Sequence, residues 1–221
     1  MKAALLDLIY PRECSVCGAR IREDGRLAFC VGCDAGLEWI AAPACGRCGA
    51  ERPRDACAEC EGREFRFAGA TALGKYGGRL RDFVLALKFR GARSLADEFG
   101  RRLAAALPRK FDRIVPVPMS RWKLLFRGYN AAGLLAERLS RYSGIPVSGT
   151  LLRKIKRTKP QAELEREERL RNPQGAYRSS PVRGSVLLVD DVLTTGATAN
   201  ACTEALLAAG ASEVHVGVIA R

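Results

Sequence analysis

The sequence predicts an α/β protein: a mainly parallel sheet flanked by helices, preceded by a small cysteine-rich module. Two observations carry that expectation. Eight of the nine cysteines lie between residues 14 and 60. Beyond them, apolar runs of strand length alternate with longer helical patterns, the order that covers a parallel sheet with helices. At 221 residues and 48% hydrophobic, the chain can form one such domain plus a small module. The expected division is 1–64 for an amino-terminal helix and the cysteine module, and 65–221 for the α/β domain.

The opening "MKAALLDLIYPREC" carries one Lys and a short apolar stretch broken by Asp7, with no small-residue cleavage site before Pro11. It therefore does not read as a secretory signal, and it is expected to form a short amphipathic helix docked on the body of a cytoplasmic protein. No stretch reaches the length of a membrane span. The cysteines then fall in four C-x-x-C pairs: Cys14/Cys17, Cys30/Cys33, Cys45/Cys48 and Cys57/Cys60. Two thiolates three residues apart converge on one tetrahedral centre, so two pairs close a zinc site and four pairs imply two Zn2+ ions. "CSVCG" and "CGRCG" end in Gly18 and Gly49, whereas "CVGCD" and "CAECE" end in an acid. This repeat favours consecutive pairing: Cys14, Cys17, Cys30 and Cys33 in one site, and Cys45, Cys48, Cys57 and Cys60 in the other. Four thiolates leave no position open for water, so both metals are expected to be structural. A disulfide framework would need an oxidising compartment, and redox-active pairs a preceding strand; neither is indicated.

After "EGREFRF", "GATALGKY" reads as a strand, and "GRLRDFVLALKFRG" and "SLADEFGRRLAAALP" as helices. "DRIVPVP" reads as a strand, "GYNAAGLLAERLSRYSG" as a helix, and "GSVLLVDD" as a buried strand. "ATANACTEALLAAG" is a helix ending at Gly210, and "SEVHVGVIA" a last strand. Gly69 to Lys75 mimics a nucleotide-binding phosphate loop, but Tyr76 stands where a magnesium-binding Ser or Thr is required, and the segment lies within a strand pattern. Cys202 reads as a small core residue. His215 alternates with valines on a strand and receives no catalytic role.

The stretch "VLLVDDVLTTGATA" is chemically the most specific. Its apolar run ends in Asp190 and Asp191 at the carboxyl edge of a central strand, where open α/β sheets bind ligands. Thr194, Thr195, Gly196, Ala197 and Thr198 follow as a turn into a helix. Backbone N–H groups, hydroxyls and the positive helix end can cradle a phosphate there. The adjacent acids suit neutral hydroxyls or magnesium. A ribose 5-phosphate unit offers both kinds of group.

This stretch closely resembles the phosphoribosyl pyrophosphate (PRPP) motif of type I phosphoribosyltransferases. With the four cysteine pairs, "PVP", "RGYNAAGLLA", "RKIKRTKPQAELEREERLRNPQGAY" and "VLLVDDVLTTGAT" in this order, the chain resembles the ComF family over nearly its whole length. The resemblance implies a type I phosphoribosyltransferase fold, PRPP and Mg2+ as ligands, and a role in handling imported single-stranded DNA during natural transformation. It also implies a DNA-uptake helicase or other competence proteins as partners. Carried over, Asp190 and Asp191 hold ribose hydroxyls and magnesium as the catalytic pair, and Thr194 to Thr198 the 5-phosphate. Met119, Ser120 and Arg121 fall where type I enzymes bind pyrophosphate, and Arg127 and Asn130 match the R-G-aromatic-N stretch. Ala131 stands where the family commonly has Gln. Amidophosphoribosyltransferase activity is not expected, since the chain shows neither a terminal cysteine nucleophile nor a glutaminase domain.

The formal charge of +13 favours anionic partners without choosing among nucleic acid, phosphorylated metabolites and acidic lipid. Between residues 121 and 171, thirteen Lys or Arg face five Glu. "AELEREERLR" reads as a solvated helix with i,i+4 ion pairs. Arg153, Lys154, Lys156, Arg157 and Lys159 lack such compensation and are expected to contact an anion, either pyrophosphate or a nucleic-acid backbone. Trp122, among basic residues, has two readings: a base-stacking ring or a loop anchor in the core. Three functions follow as expectations: transfer of phosphoribose to an unknown acceptor, non-catalytic single-stranded DNA binding with PRPP as regulator, or a zinc-ribbon assembly module.

Overall fold

The computed structural model describes residues 13–21, 28–51, 57–156 and 175–221. The expected amino-terminal helix lies outside them. In chain order the elements are α1 (Val31–Ala35), β1 (Gly69–Gly74), α2 (Gly78–Phe89), α3 (Leu95–Ala106), β2 (Arg113–Pro116), α4 (Arg121–Arg127) and α5 (Ala131–Ser143). Then come β3 (Leu152–Lys154), β4 (Tyr177–Ser179), β5 (Ser185–Val192), α6 (Ala197–Ala208) and β6 (Glu213–Ala220).

Four strands form one sheet in the order β1-β6-β5-β2, and all its pairings are parallel. The two central strands read as continuous apolar runs because both of their faces are covered. Alternation divides those faces. Leu187 and Val189 of β5, with Ile219 of β6, enter a core with Phe83 of α2, Phe99 of α3 and Leu135 of α5. Val186 and Leu188 of β5, with Val214, Val216 and Val218 of β6, enter a second core with Cys202 and Leu206 of α6 and Tyr177 of β4. The fully buried Cys202 is the small core residue its helical context suggested.

The cysteine module lies along the open edge of this sheet. The Ile40 and Lys75 amides donate to the Leu73 and Glu38 carbonyls, and the Ala70 amide to that of Gly46. These bonds occupy part of the β1 edge, which would otherwise present free pairing groups to another chain. The sequence segment that mimics a phosphate loop is β1 itself, and Lys75 is ion-paired with Glu51.

Two elements differ from expectation. Residues 121–127, between the expected strand and the expected helix and given no element by the sequence pattern, form α4, which exposes Trp122, Leu125 and Phe126. The basic stretch begins in an antiparallel hairpin of β3 and β4, with Arg153 opposite Arg178. Strands of three residues are too short for periodicity to reveal them.

Candidate functional site

The site begins where β5 leaves the core. Strand alternation sends Asp190 to the α6 side of the sheet and Asp191 to the α2 side, yet both line one cavity of about 290 Å3 at the carboxyl edge. The Lys88 ammonium, in the last turn of α2, lies 2.7 Å from the Asp191 carboxylate. The Asp190 carboxylate accepts the Asp191 amide at 2.9 Å. Burial, reinforced by the neighbouring Asp191 charge and opposed by Lys88, pushes the Asp190 carboxyl up to about 7. A half-buried acid pair at the mouth of a cavity, with the Lys88 ammonium against one of its members, is an arrangement that a hydroxyl-bearing or cationic ligand would relieve.

Thr194, Gly196, Ala197 and Thr198 line the same cavity, where the turn enters α6. Gly196 has φ of +81°, and a Cβ there would come within 2.7 Å of Phe65 Cε1. Glycine is thus required both by the left-handed backbone and by the ring beneath it. Thr195 is placed differently. Its hydroxyl accepts the Ala197 amide at 3.4 Å, and it borders a neighbouring cavity with Glu59 and Arg221. Arg221 Nη1 donates to the Leu193 and Thr194 carbonyls at 3.4 and 3.3 Å, while its Nη2 lies 3.4 Å from Glu59.

A second cavity of about 480 Å3 shares Lys88, Asp190 and Asp191 with the first and is bordered by Met119, Ser120, Arg127 and Asn130. The fold therefore brings the expected pyrophosphate loop to the acidic pair. Arg121 opens α4. Asn130 is occupied structurally: its side-chain amide donates to the Val117 carbonyl at 2.9 Å and its oxygen accepts the Ala132 amide at 3.2 Å. It fastens the loop after β2 to the start of α5. The Arg127 guanidinium lies over the Phe89 ring, 4.5 Å from its centroid.

Lys154 enters the cleft beside the Tyr177 ring, 5.7 Å from its centroid. Burial, aided by the nearby Lys123 charge, lowers its pKa; burial likewise raises that of Tyr177. Arg153 and Lys156 are exposed, and Arg157 and Lys159 lie outside the described residues. Lys88, Lys123 and Tyr177 were not singled out in the sequence as site residues. No local motif marks them, because three separate elements deliver them.

The thiol groups form the two expected clusters. Cys14, Cys17, Cys30 and Cys33 converge, as do Cys45, Cys48, Cys57 and Cys60, with all sulfurs of a cluster within 4.8 Å of one another. Cys17–Cys30, Cys45–Cys60 and Cys48–Cys57 sulfur separations are 3.7, 3.7 and 3.5 Å. A zinc tetrahedron with ~2.3 Å bonds needs edges of about 3.8 Å. Two structural Zn2+ sites fit, paired consecutively.

Fold, cleft and thiol clusters together define a phosphoribosyltransferase-type domain preceded by a double zinc ribbon. Family comparison agrees: residues 5–61 match the double zinc ribbon domain and residues 105–221 the phosphoribosyl transferase domain. The chain is 30% identical to competence protein F of Haemophilus influenzae, over 87% of its own length and 90% of that protein's. It is 29% identical to DNA utilization protein YhgH of Escherichia coli K12, covering 94% and 89%. Identity to competence protein ComFC of Bacillus subtilis is 28%, covering 91% of each chain. The chain belongs to this ComF family. Among the described residues, no helix is long and apolar enough to cross a membrane.

Proposed function

We propose that the protein binds PRPP with Mg2+ in the cleft at the end of β5 and acts in the use of imported DNA, transferring phosphoribose to an acceptor. The observation that carries this reading is that the turn at the start of α6 and the loop after β2 line two cavities that share the acidic pair, Lys88 and Lys154. Asp190 and Asp191 accept the ribose hydroxyls and would hold Mg2+, which supplies charge neutralisation for pyrophosphate. The backbone and hydroxyls of residues 194–198 receive the 5-phosphate. Lys88, Lys123 and Lys154 face the side on which pyrophosphate departs. As the C1–oxygen bond to pyrophosphate breaks, its electrons leave with that group. The acceptor's lone pair forms the new bond to C1, and the carboxylates stabilise the positive charge passing through the ribose.

Calorimetric titration with PRPP and Mg2+ tests the pocket. Saturable binding that disappears in an Asp190→Ala, Asp191→Ala double variant is expected. No binding by the parent protein, or equal binding by the variant, would refute it. A second reading, single-stranded DNA binding without turnover, is favoured by a separate observation: exposed aromatic rings and cations beside the cleft. Pyrophosphate release that depends on an acceptor separates the two.

A further inference from the structure

Next to the cleft lies an open groove of about 740 Å3 lined by aromatic rings and cations. Four aromatic residues line it: Phe89 at the end of α2, Trp122 and Phe126 on α4, and Tyr129. Phe89 is 65% exposed, Trp122 68% and Phe126 97%, so these rings are not packing the core. The remaining described lining is Gly91 and four cations, with no carboxylate. Two of the cations sit over rings: Arg127 over Phe89 at 4.5 Å and Arg93 over Tyr129 at 4.6 Å from the ring centroids. Tyr129 is held by its hydroxyl, which donates to the Leu87 carbonyl.

We propose that this groove binds single-stranded DNA, with unpaired bases stacked on Phe89, Trp122 and Phe126 and phosphates held by Arg93, Lys123 and Arg127. The proposal rests on the DNA-binding reading above and gives it a location whose lining does not include Arg153, Lys154 or Lys156. Aromatic platforms interleaved with cations match a single strand, whose bases offer free π faces; a duplex hides those faces. A membrane-docking helix would segregate its rings from its cations, whereas here they alternate within a concavity. Lys88 and Lys123 line both the groove and the PRPP cleft, so a strand in the groove runs up to the cleft.

Of the two tryptophans in the chain, Trp39 is half-buried against Phe99 at the edge of the core whereas Trp122 is 68% exposed, and the Trp122→Phe variant identifies the signal that reports Trp122. Titration of the zinc-loaded protein with a dT20 oligonucleotide should quench that fluorescence, and Trp122→Phe should abolish the quench while binding by anisotropy persists. Phe126→Ala and Phe89→Ala should each weaken dT20 about tenfold, the usual cost of a lost base-stacking ring. Unchanged dT20 affinity in both alanine variants would overturn the groove while leaving the DNA-binding reading intact. Absence of dT20 binding by the parent protein would overturn both. Binding of the parent to phosphatidylserine vesicles but not dT20, lost in the same variants, would make the face a membrane surface and reject the proposal.

Discussion

The two halves of the zinc module are near repeats in sequence, yet they serve opposite faces of the sheet. Cys14 and Cys33 of the first cluster join the core of Phe29, Phe83 and Phe99, where Phe29 meets Phe83 edge-on at 4.7 Å. Cys45 and Cys48 of the second join the core of Phe65, Phe67 and Ala199 beneath the candidate phosphate turn. There Phe65 stands under Gly196. The Asn200 side chain of α6 donates to the Glu64 carbonyl and accepts the Arg66 amide, both at 2.9 Å. One cluster thus staples a helical layer on one face, and the other braces the candidate phosphate turn on the opposite face. The surroundings of the metal, rather than its ligands, decide which property it controls.

Removing one ligand from each cluster is the strongest way to break that comparison. A four-thiolate zinc site contributes on the order of 10 kcal/mol to folding, so Cys33→Ser and Cys48→Ser should each lower bound zinc from two ions to one. Cys33→Ser is expected to depress the thermal midpoint most. Cys48→Ser should keep the first core folded while losing PRPP affinity. Metal content, thermal melts and PRPP calorimetry read the three quantities; identical profiles for the two variants would show that the ribbons are interchangeable.

Acid should weaken the first face, while the raised Asp190 carboxyl on the second responds with the opposite sign. His215 lies opposite Leu187 in the β5–β6 register, bonded to the Thr71 hydroxyl at 2.9 Å and against the Phe111 ring. Burial, aided by the Arg109 charge and opposed by Glu213, pulls its pKa down from 6.5 to about 4. Arg109 and Glu213 are themselves paired at 2.6 Å. The folded state therefore keeps His215 neutral while the unfolded chain binds a proton below its ordinary pKa. The associated stability is complete above pH 6.5 and is lost as pH falls toward 4, by about 3 kcal/mol. In an Asp190→Asn background, which removes the opposing titration of that carboxyl, urea melts at pH 7 and pH 4.5 should show a loss that His215→Gln largely removes. An unchanged loss in that variant would assign the acid sensitivity to other groups.

Much of this was legible in the sequence, for physical reasons that also mark the limit. The long strands and helices announce themselves because their apolar faces must be continuous or periodic to be buried. The zinc clusters are legible because each ligand pair is local, and the acid–threonine turn because its chemistry is contiguous. Lys88 and Lys123 are not legible, since helices far apart in sequence deliver them to the cleft. α4 is not legible because its rings face outward, where no core-facing period is written. The Arg221–Glu59 contact, 162 residues apart, has no local signature at all.

Two smaller perturbations sharpen the second face. Gly196→Ala places a Cβ against Phe65 at a left-handed φ, a strain of ~1–3 kcal/mol. Its expected result is PRPP binding weakened about tenfold or more, with the first core's melting behaviour little changed. The smallest effect should come from Glu59→Ala. Glu59 is 55% exposed, and an exposed ion pair is worth roughly 0–1 kcal/mol. Arg221 is also held by its own backbone: its amide donates to the Gly74 carbonyl and its carbonyl accepts the Tyr76 amide. Loss of Glu59 should therefore leave the guanidinium against the Leu193 and Thr194 carbonyls and change PRPP affinity less than about fivefold. A larger loss would mean that the ribbon steers the phosphate turn through this ion pair; a negligible one would leave Phe65 and Asn200 as the brace.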